Sequence, residues 1–375
     1  MNQPSRTENQ EVPLPAPHKR SWQDWQVTQP PFNSPDPRFD QRSSSPDDFP
    51  EIYALLNTAF DGKRTIAELE WIYEENPYGK ARSDLAIDTS SGAIVSTNGR
   101  FAWPLCKGDE EMELTHVGDS ATLPQMQRQG IMGLRRAFQE SHPWNFQQIV
   151  MSLPNEASRA AIKKYNRPDV LVAQIPFAKK ILDWRRFLTT KGVPGFLAKI
   201  VAPLAKAITR SACHKPNELR IEPIDHFGQE HQILSLSCSR TDGFWCPHGA
   251  QWMNWRYFGH PTKKYVARGL YSGDELKAFA VVQLNGNNAM LMELISPSIE
   301  FADILLSDIE GVAFSAGAVA IDTYASESWK QWPALKRRYY VMRPSNIYIS
   351  IRSTDIPEAL CADNWQFLPG DSDVF

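Results

Sequence analysis

The stretch Thr122-Leu123-Pro124-Gln125-Met126-Gln127-Arg128-Gln129-Gly130-Ile131-Met132-Gly133-Leu134-Arg135-Arg136-Ala137-Phe138 decides how the chain is read. An extended run ends at Thr122, a polar turn centres on Gly130, and an amphipathic helix follows with Leu134 and Phe138 on its apolar side. Backbone N–H groups at such a turn, backed by a helix N-terminus, form a site for a pyrophosphate. Thr122, Leu123, Gln127, Arg128, Gln129, Gly130, Ile131 and Met132 are therefore the candidate anion-binding residues.

Upstream of the turn, a short strand is expected over 39–42. Asp47 or Asp48 then caps a helix that has Pro50 in its first turn. Ile52, Leu55, Leu56 and Phe60 fall at helical spacing. A second helix covers 66–73 and stops before Asn76-Pro77, because a residue preceding proline avoids the helical region. Strands are expected over 85–88 and 93–102, joined by Ser90-Ser91-Gly92, and over 113–122. Beyond the turn helix, 147–153 reads as a strand, and Asn155 caps a helix running to about residue 164. The expected fold class is α+β, with a mixed sheet.

The hexapeptide Gln127-Arg128-Gln129-Gly130-Ile131-Met132 resembles the Q/R-x-x-G-x-G/A signature of the GNAT (GCN5-related N-acetyltransferase) superfamily. The order β-α-α-β-β-β-α-β-α around it is the order of that family, and Asn76-Pro77-Tyr78-Gly79 matches its N-P-x-G. Met132 departs from the pattern, standing where the family has Gly or Ala. The resemblance implies that acetyl-CoA is the co-substrate, its pyrophosphate held at the turn. The strand before the turn would splay from its neighbour to position the thioester. Family bases sit on that strand, which makes Glu113, His116 and Asp119 the titratable candidates. His116 titrates near working pH, as a general base should; Asp119 would act with a raised pKa, through water, or by binding an amine. Family members place an acidic Tyr in N-x-x-A-x-x-L-Y-like sequence. Asn155 matches its start and is a candidate to meet the pantetheine arm, but the Tyr position falls on Ile162 or Lys163. Either Tyr165, one turn on, supplies the proton, or water does, or activity has been lost.

The segment 176–210 breaks the pattern. Residues 176–188 and 195–210 read as two amphipathic helices, with eight cations (Lys179, Lys180, Arg185, Arg186, Lys191, Lys199, Lys206 and Arg210) against Asp183 alone. A basic helix with Trp and Leu on its other face can lie on an anionic membrane. A linker hairpin packed on both domains with its charges solvated is the simpler expectation, and Pro203 and the short length favour it.

Beyond it, Trp255-Arg256-Tyr257-Phe258-Gly259-His260-Pro261 echoes Trp71-Ile72-Tyr73-Glu74-Glu75-Asn76-Pro77, both W-x-Y-x-x-x-P. Such self-similarity suggests a duplicated unit. Strands over 265–270, 278–284 and 290–295 lead to Ser296-Pro297 and a helix beginning near Phe301. No Gly signature stands at that junction, so the second unit reads as a degenerate GNAT-like domain. The expected division is a disordered Pro-rich tail over 1–37, a GNAT domain over 38–175, a basic linker over 176–215 and the degenerate domain over 216–375. Eight prolines precede Arg38, and the tail lacks the apolar surface to offset its ordering entropy. Trp71, Trp103, Trp144, Trp252, Trp255, Trp329 and Trp332 are read as core residues.

Composition excludes other classes. The chain has 375 residues, 42% hydrophobic and 22% charged, at a net charge of −3, which fits two globular domains and gives no global basic surface for nucleic acid. No apolar run approaches the roughly 20 residues that span a bilayer, and the N-terminus lacks the apolar core of a signal peptide. Cys106, Cys213, Cys238, Cys246 and Cys361 are scattered and odd in number, as expected of reduced thiols in a cytoplasmic protein. Cys238, Cys246 and His248 lack metal-ligand spacing, so no metal is expected. The resemblance is to tandem-GNAT bacterial proteins, some of which accompany polysaccharide assembly. It implies acetyl transfer to a primary amine, with an amino sugar as one acceptor. An aminoacyl-tRNA-dependent transferase of paired GNAT-like units, needing a basic groove at 179–210, is one alternative. A non-catalytic CoA-binding interaction protein is the other.

Overall fold

In a computed structural model the described residues are 32–141, 149–165, 169–209, 215–239 and 241–372. Most of the tail expected to be disordered lies outside them, as do Trp144, Cys213 and Arg210. Two mixed sheets carry the fold. The first half supplies β1 (Phe39–Ser43), α1 (Phe49–Ala59), α2 (Ile66–Glu74), β2 (Arg82–Asp88), β3 (Ile94–Lys107), β4 (Glu110–Thr122), α3 (Ile131–Ser141), β5 (Ile149–Ser152), α4 (Glu156–Tyr165) and β6 (Val170–Gln174). Then come β7 (Phe177–Ile181), α5 (Trp184–Thr190) and α6 (Gly195–Ile208). The second half supplies β8 (Leu219–Ile224), α7 (Gln229–Ser239), β9 (Phe244–Trp245), α8 (Ala250–Met253) leading into a π-helical turn, β10 (Lys264–Ser272), β11 (Glu275–Asn285) and β12 (Asn288–Ile295). It closes with α9 (Ile299–Ser315), β13 (Ala320–Tyr324), α10 (Trp332–Arg337), β14 (Val341–Arg343) and β15 (Tyr348–Arg352).

Local signals account for the element ends. Thr65 caps α2: its hydroxyl accepts from the Glu68 N–H at 3.2 Å, while the Glu68 carboxylate accepts from the Thr65 N–H at 2.7 Å. Pro104 is tolerated inside β3 because it stands past Arg100, where the ladder with β2 stops.

The first sheet runs β1-β2-β3-β4-β5-β15-β6 and the second β8-β10-β11-β12-β13-β7-β14. The two orders match, and each contains a strand from the other half, the first sheet also taking β9 alongside β3. β15 slots between β5 and β6, and β7 between β13 and β14. The exchange crosses the boundaries expected from the sequence. It also corrects the reading of 176–188 as a helix: 177–181 is a strand with Ala178 and Lys180 on the buried side. Two adjacent lysines look like a solvated helix face, but Lys180 is buried and bonded to Glu310 at 2.7 Å, a partner 130 residues away. The rest of that segment and the following one form α5 and α6.

The repeated W-x-Y motif sits where the halves meet. Trp71 and Trp255 stack with ring centroids 4.3 Å apart and planes 11° from parallel. Each indole N–H donates to the other's backbone carbonyl, at 3.1 and 3.3 Å. Both rings are buried, and one continuous core extends from Phe49, Leu56 and Phe101 through this pair to Phe279 and Met292.

Trp71→Ala and Trp255→Ala should each cost about 3–5 kcal/mol in chemical denaturation. Because the two rings share one contact, the double variant should cost less than the sum of the singles; simple additivity would mean that the rings are energetically independent.

Candidate functional site

β4 and β5 begin as a parallel pair, from Leu114 opposite Ile149 to Val117 opposite Ser152. There β5 ends and the chain turns through Pro154 into α4, while β4 continues to Thr122. A wedge therefore opens between 118–122 and 153–155. Its β4 wall carries a bulge: Thr97 faces Ala121 and Gly99 faces Gly118, so Asp119 and Ser120 both oppose Asn98. Asp119 takes a left-handed φ of 48°, and Arg64 from the α1–α2 loop grips its carboxylate at 2.8 and 2.9 Å. Leu56, Asn57, Phe60, Arg64, Leu69 and Asp119 line a recess on this side.

At the mouth of the wedge stands the Gly130 turn. Gly130 has φ 83° and Arg128 φ 64°. A side chain on Gly130 would meet no neighbour, so glycine is required by backbone conformation and not by space. The Gly130 carbonyl accepts from the amides of Gly133 (2.8 Å) and Leu134 (3.2 Å), which starts α3. Among the described residues no acceptor engages the amides of 128–132. These N–H groups thus stand in a row at a helix N-terminus, the arrangement that binds a phosphate. The Met132 side chain is 62% exposed and is not part of the core beneath the turn.

Neighbouring contacts fix the turn. The Thr122 hydroxyl lies 2.9 Å from that of Ser96, and the Leu123 amide donates to the Val95 carbonyl at 3.0 Å. Gln127 Nε2 reaches the Thr122 carbonyl at 3.4 Å, and Gln129 Nε2 the Gln125 carbonyl at 3.3 Å. Ile131 is buried beside Phe39, Ala86 and Val95. Across the wedge, Asn155 caps α4, its Oδ1 accepting from the Ser158 amide at 2.9 Å. His116 is buried, with its ring 4.9 Å from that of Trp103 and 6.3 Å from that of Phe101. Asp119 and His116 therefore lie on the same strand, close to where the wedge opens. Tyr165 ends α4, and its side chain, like that of Glu113, lies outside the described residues.

The sequence reading missed Arg135. It donates to Ser96 Oγ (3.0 Å), Ser120 Oγ (2.9 Å) and the Thr97 carbonyl, tying α3 to the bulge. Burial pushes its pKa down to about 10. Beneath it, Asp84 accepts from Arg100 at 2.7 and 2.9 Å and from Gln139 at 2.6 Å. An arginine one turn after Ile131 and one before Phe138 stands at a core-facing position, which was the available signal.

The second unit has a wedge of the same construction but no cradle. β12 and β13 pair in parallel from Asn288 to Met290 and then part, and a bulge leaves Met292 unmatched. The following helix satisfies its own start: Ser298 Oγ accepts from the Phe301 amide and Ser296 Oγ from the Ser298 amide. The wedge itself is filled. Tyr257 donates to Glu293 at 2.5 Å, His248 Nε2 lies 2.6 Å from Asp371 and His248 Nδ1 lies 3.5 Å from Glu293. A methyl group on Gly370 would overlap both the Glu293 carboxylate and the Tyr257 hydroxyl. Burial pulls the His248 pKa down, but the two carboxylates prevail and raise it to about 9. Burial pushes Glu293 up to about 7.

Of the cations in 179–210, Lys179 is paired with Asp322 at 3.1 Å, Lys180 with Glu310, and Arg186 with Asn287 at 2.6 Å. These three are committed to the fold, which weakens the basic groove that an aminoacyl-tRNA reading requires.

No family model and no curated protein matches the chain. Solved structures do. A probable N-acyltransferase from Enterococcus faecalis superposes with a TM-score of 0.60 at 10% identity, covering 86% of this chain and 74% of that one. A GCN5-related N-acetyltransferase from Anabaena variabilis gives 0.58 at 10% identity, over 84% and 72%. The Saccharomyces cerevisiae N-myristoyltransferase with bound myristoyl-CoA gives 0.51 at 10% identity, over 87% and 80%. The chain has the GCN5-related N-acetyltransferase fold, and its two sheets of matching strand order fit two such units.

The filled wedge generates a pH dependence. The folded-state pKa of His248 lies above its unfolded value of about 6.5, so its contribution is complete below that value and is lost as pH rises through about 9. Glu293, also raised, acts in the same direction from lower pH. The melting temperature should fall between pH 6.5 and 9, by the equivalent of on the order of 2–3 kcal/mol. His248→Gln should flatten that slope. An equally steep slope in the variant would exclude this cluster as its source.

Proposed function

We propose that this chain is an acyl-CoA-dependent N-acyltransferase that moves an acetyl group from acetyl-CoA to a primary amine, with an amino sugar as one acceptor of that class. The observation that carries the reading is the row of unengaged amides at 128–132, set at the mouth of the β4–β5 wedge. The fold supports it, as does the myristoyl-CoA bound by the yeast neighbour.

The amides of 128–132 and the dipole of α3 would hold the pyrophosphate. The thioester would then enter the wedge between β4 and Asn155, and the amine would approach from the recess bounded by Arg64 and Asp119. The amine nitrogen attacks the thioester carbonyl, the C–N bond forms and the C–S bond breaks. His116 accepts the proton from the nitrogen, and the departing thiolate takes up a proton in turn. Arg64 keeps Asp119 in place at the bulge, where its carboxylate can orient the amine. The second unit, with its wedge filled by 368–372, serves as a wall.

Calorimetric titration with acetyl-CoA tests the cradle. Wild type should bind, and Gly130→Asp should bind roughly a hundredfold more weakly, the loss of ~3 kcal/mol expected when charge-assisted bonds to the amides go. No binding by wild type would remove the transferase reading. His116→Gln should bind acetyl-CoA normally yet lower kcat by about 10²-fold or more and lose the acidic limb of the pH–rate profile. Full turnover by that variant would eliminate His116 as the base.

A further inference from the structure

α6 carries its large apolar side chains outward. Phe196, Ile200, Leu204 and Ile208 are 64–70% exposed, and Leu197 and Val201 are 41% and 43% exposed. At 100° per residue these six form a stripe roughly 140° wide. The side turned to the protein is made of small residues, with Ala198 and Ala202 buried. Pro203 does not break the helix, which continues to Ile208.

The hairpin bearing this face is fixed to the body. Arg186 donates to the Gly317 carbonyl at 2.7 Å and to Asn287 at 2.6 Å, and the Trp184 indole donates to Thr209 Oγ1 at 3.0 Å, joining α5 to α6. Every ionisable side chain over 184–209 is basic. Arg185, Lys191, Lys199 and Lys206 are exposed, with Lys191 Nζ 5.8 Å from the Phe187 ring and Lys206 Nζ 5.9 Å from the Phe314 ring.

An apolar stripe on a hairpin whose ionisable side chains after Asp183 are all basic selects its occupant by charge. A second copy meeting it about a twofold axis would bring one basic hairpin against another. An anionic bilayer surface satisfies both parts at once: the acyl-chain boundary takes the stripe and the headgroups take the exposed cations of the hairpin. No described helix is long and apolar enough to cross a membrane, and the 14 residues of α6 span about 21 Å, so the geometry is that of a helix lying in the interface plane.

We propose that α6 docks this protein on anionic lipid membranes. The test is flotation of the full chain with phosphatidylcholine vesicles, with and without phosphatidylglycerol. Wild type should float with the anionic vesicles, less with phosphatidylcholine alone, and should be released by salt. Ile200→Glu with Leu204→Glu should lower the bound fraction by roughly tenfold or more at an unchanged melting temperature, since both positions are exposed. Lys199→Gln with Lys206→Gln, which leaves the stripe intact, should remove the preference for anionic lipid. Wild type that stays with the free protein at low salt overturns the proposal, as does an Ile200/Leu204 variant that floats as well as wild type. A wild-type dimer in sedimentation velocity that this variant abolishes would assign the face to a second copy, and would overturn it equally.

Discussion

The stack of Trp71 on Trp255 is the contact from which the rest of the molecule is organised. Two flat indoles meet over their full faces, and each satisfies its N–H on the other's backbone carbonyl. A buried tryptophan with an unpaired N–H would lose much of what its area contributes. The reciprocal bonds remove that cost only if the two segments approach in one relative orientation. The pair thus fixes how the two sheets face each other; Trp103 packs edge-on against both Trp255 and Trp252, and Trp252 lies tilted 4.8 Å from Trp255. The strand exchange then locks that arrangement, because neither sheet is complete without a strand from the other half.

How far the sequence revealed this depends on the range of each interaction. The Gly130 turn, the cap at Asn155 and the stop before Pro77 were legible because each is decided within a few residues. The W-x-Y repeat was visible too, although nothing in either copy says that one copy stacks on the other. The exchanged strands were hidden. Residues 177–181 carry two adjacent lysines, and only the remote Glu310 makes Lys180 an interior residue. The wedge was less legible than the cradle. Arg64 and Asp119 are 55 residues apart, and the left-handed backbone at Asp119 comes from a bulge in the ladder, not from a local glycine. Met132, the departure from the signature, is exposed.

α6 shows the reverse error. Pro203 and the shortness of the segment argued for a hairpin packed on both domains. Its helical period is right, but the packing side is taken by alanines, which lets the helix sit close to α5 and leaves the bulky residues outside. Sequence periodicity identifies an apolar stripe; it cannot say whether the stripe or the small-residue side faces the protein.

The two wedges show what a splayed strand pair demands. When parallel neighbours part, each leaves ladder groups without a partner, and those groups must be satisfied by something else. In the second unit the chain provides it: the 368–372 segment brings Asp371 to His248, the Glu293–Tyr257 pair closes the gap, and Ser298 takes the first amides of α9. That solution places a carboxylate pair and an imidazole in a dry interior, where they are stable only as a set. In the first unit the corresponding amides have no such internal partner among the described residues, and Gly130 takes a positive φ just before α3. One geometry with two fates follows from that difference. The second unit satisfies its wedge from within the chain, while the first leaves the amides of 128–132 without a partner among the described residues, and a helix N-terminus of that kind can take an anion. Under the proposed function, that asymmetry would put the acyl transfer on the Gly130 side and leave the second unit as a wall.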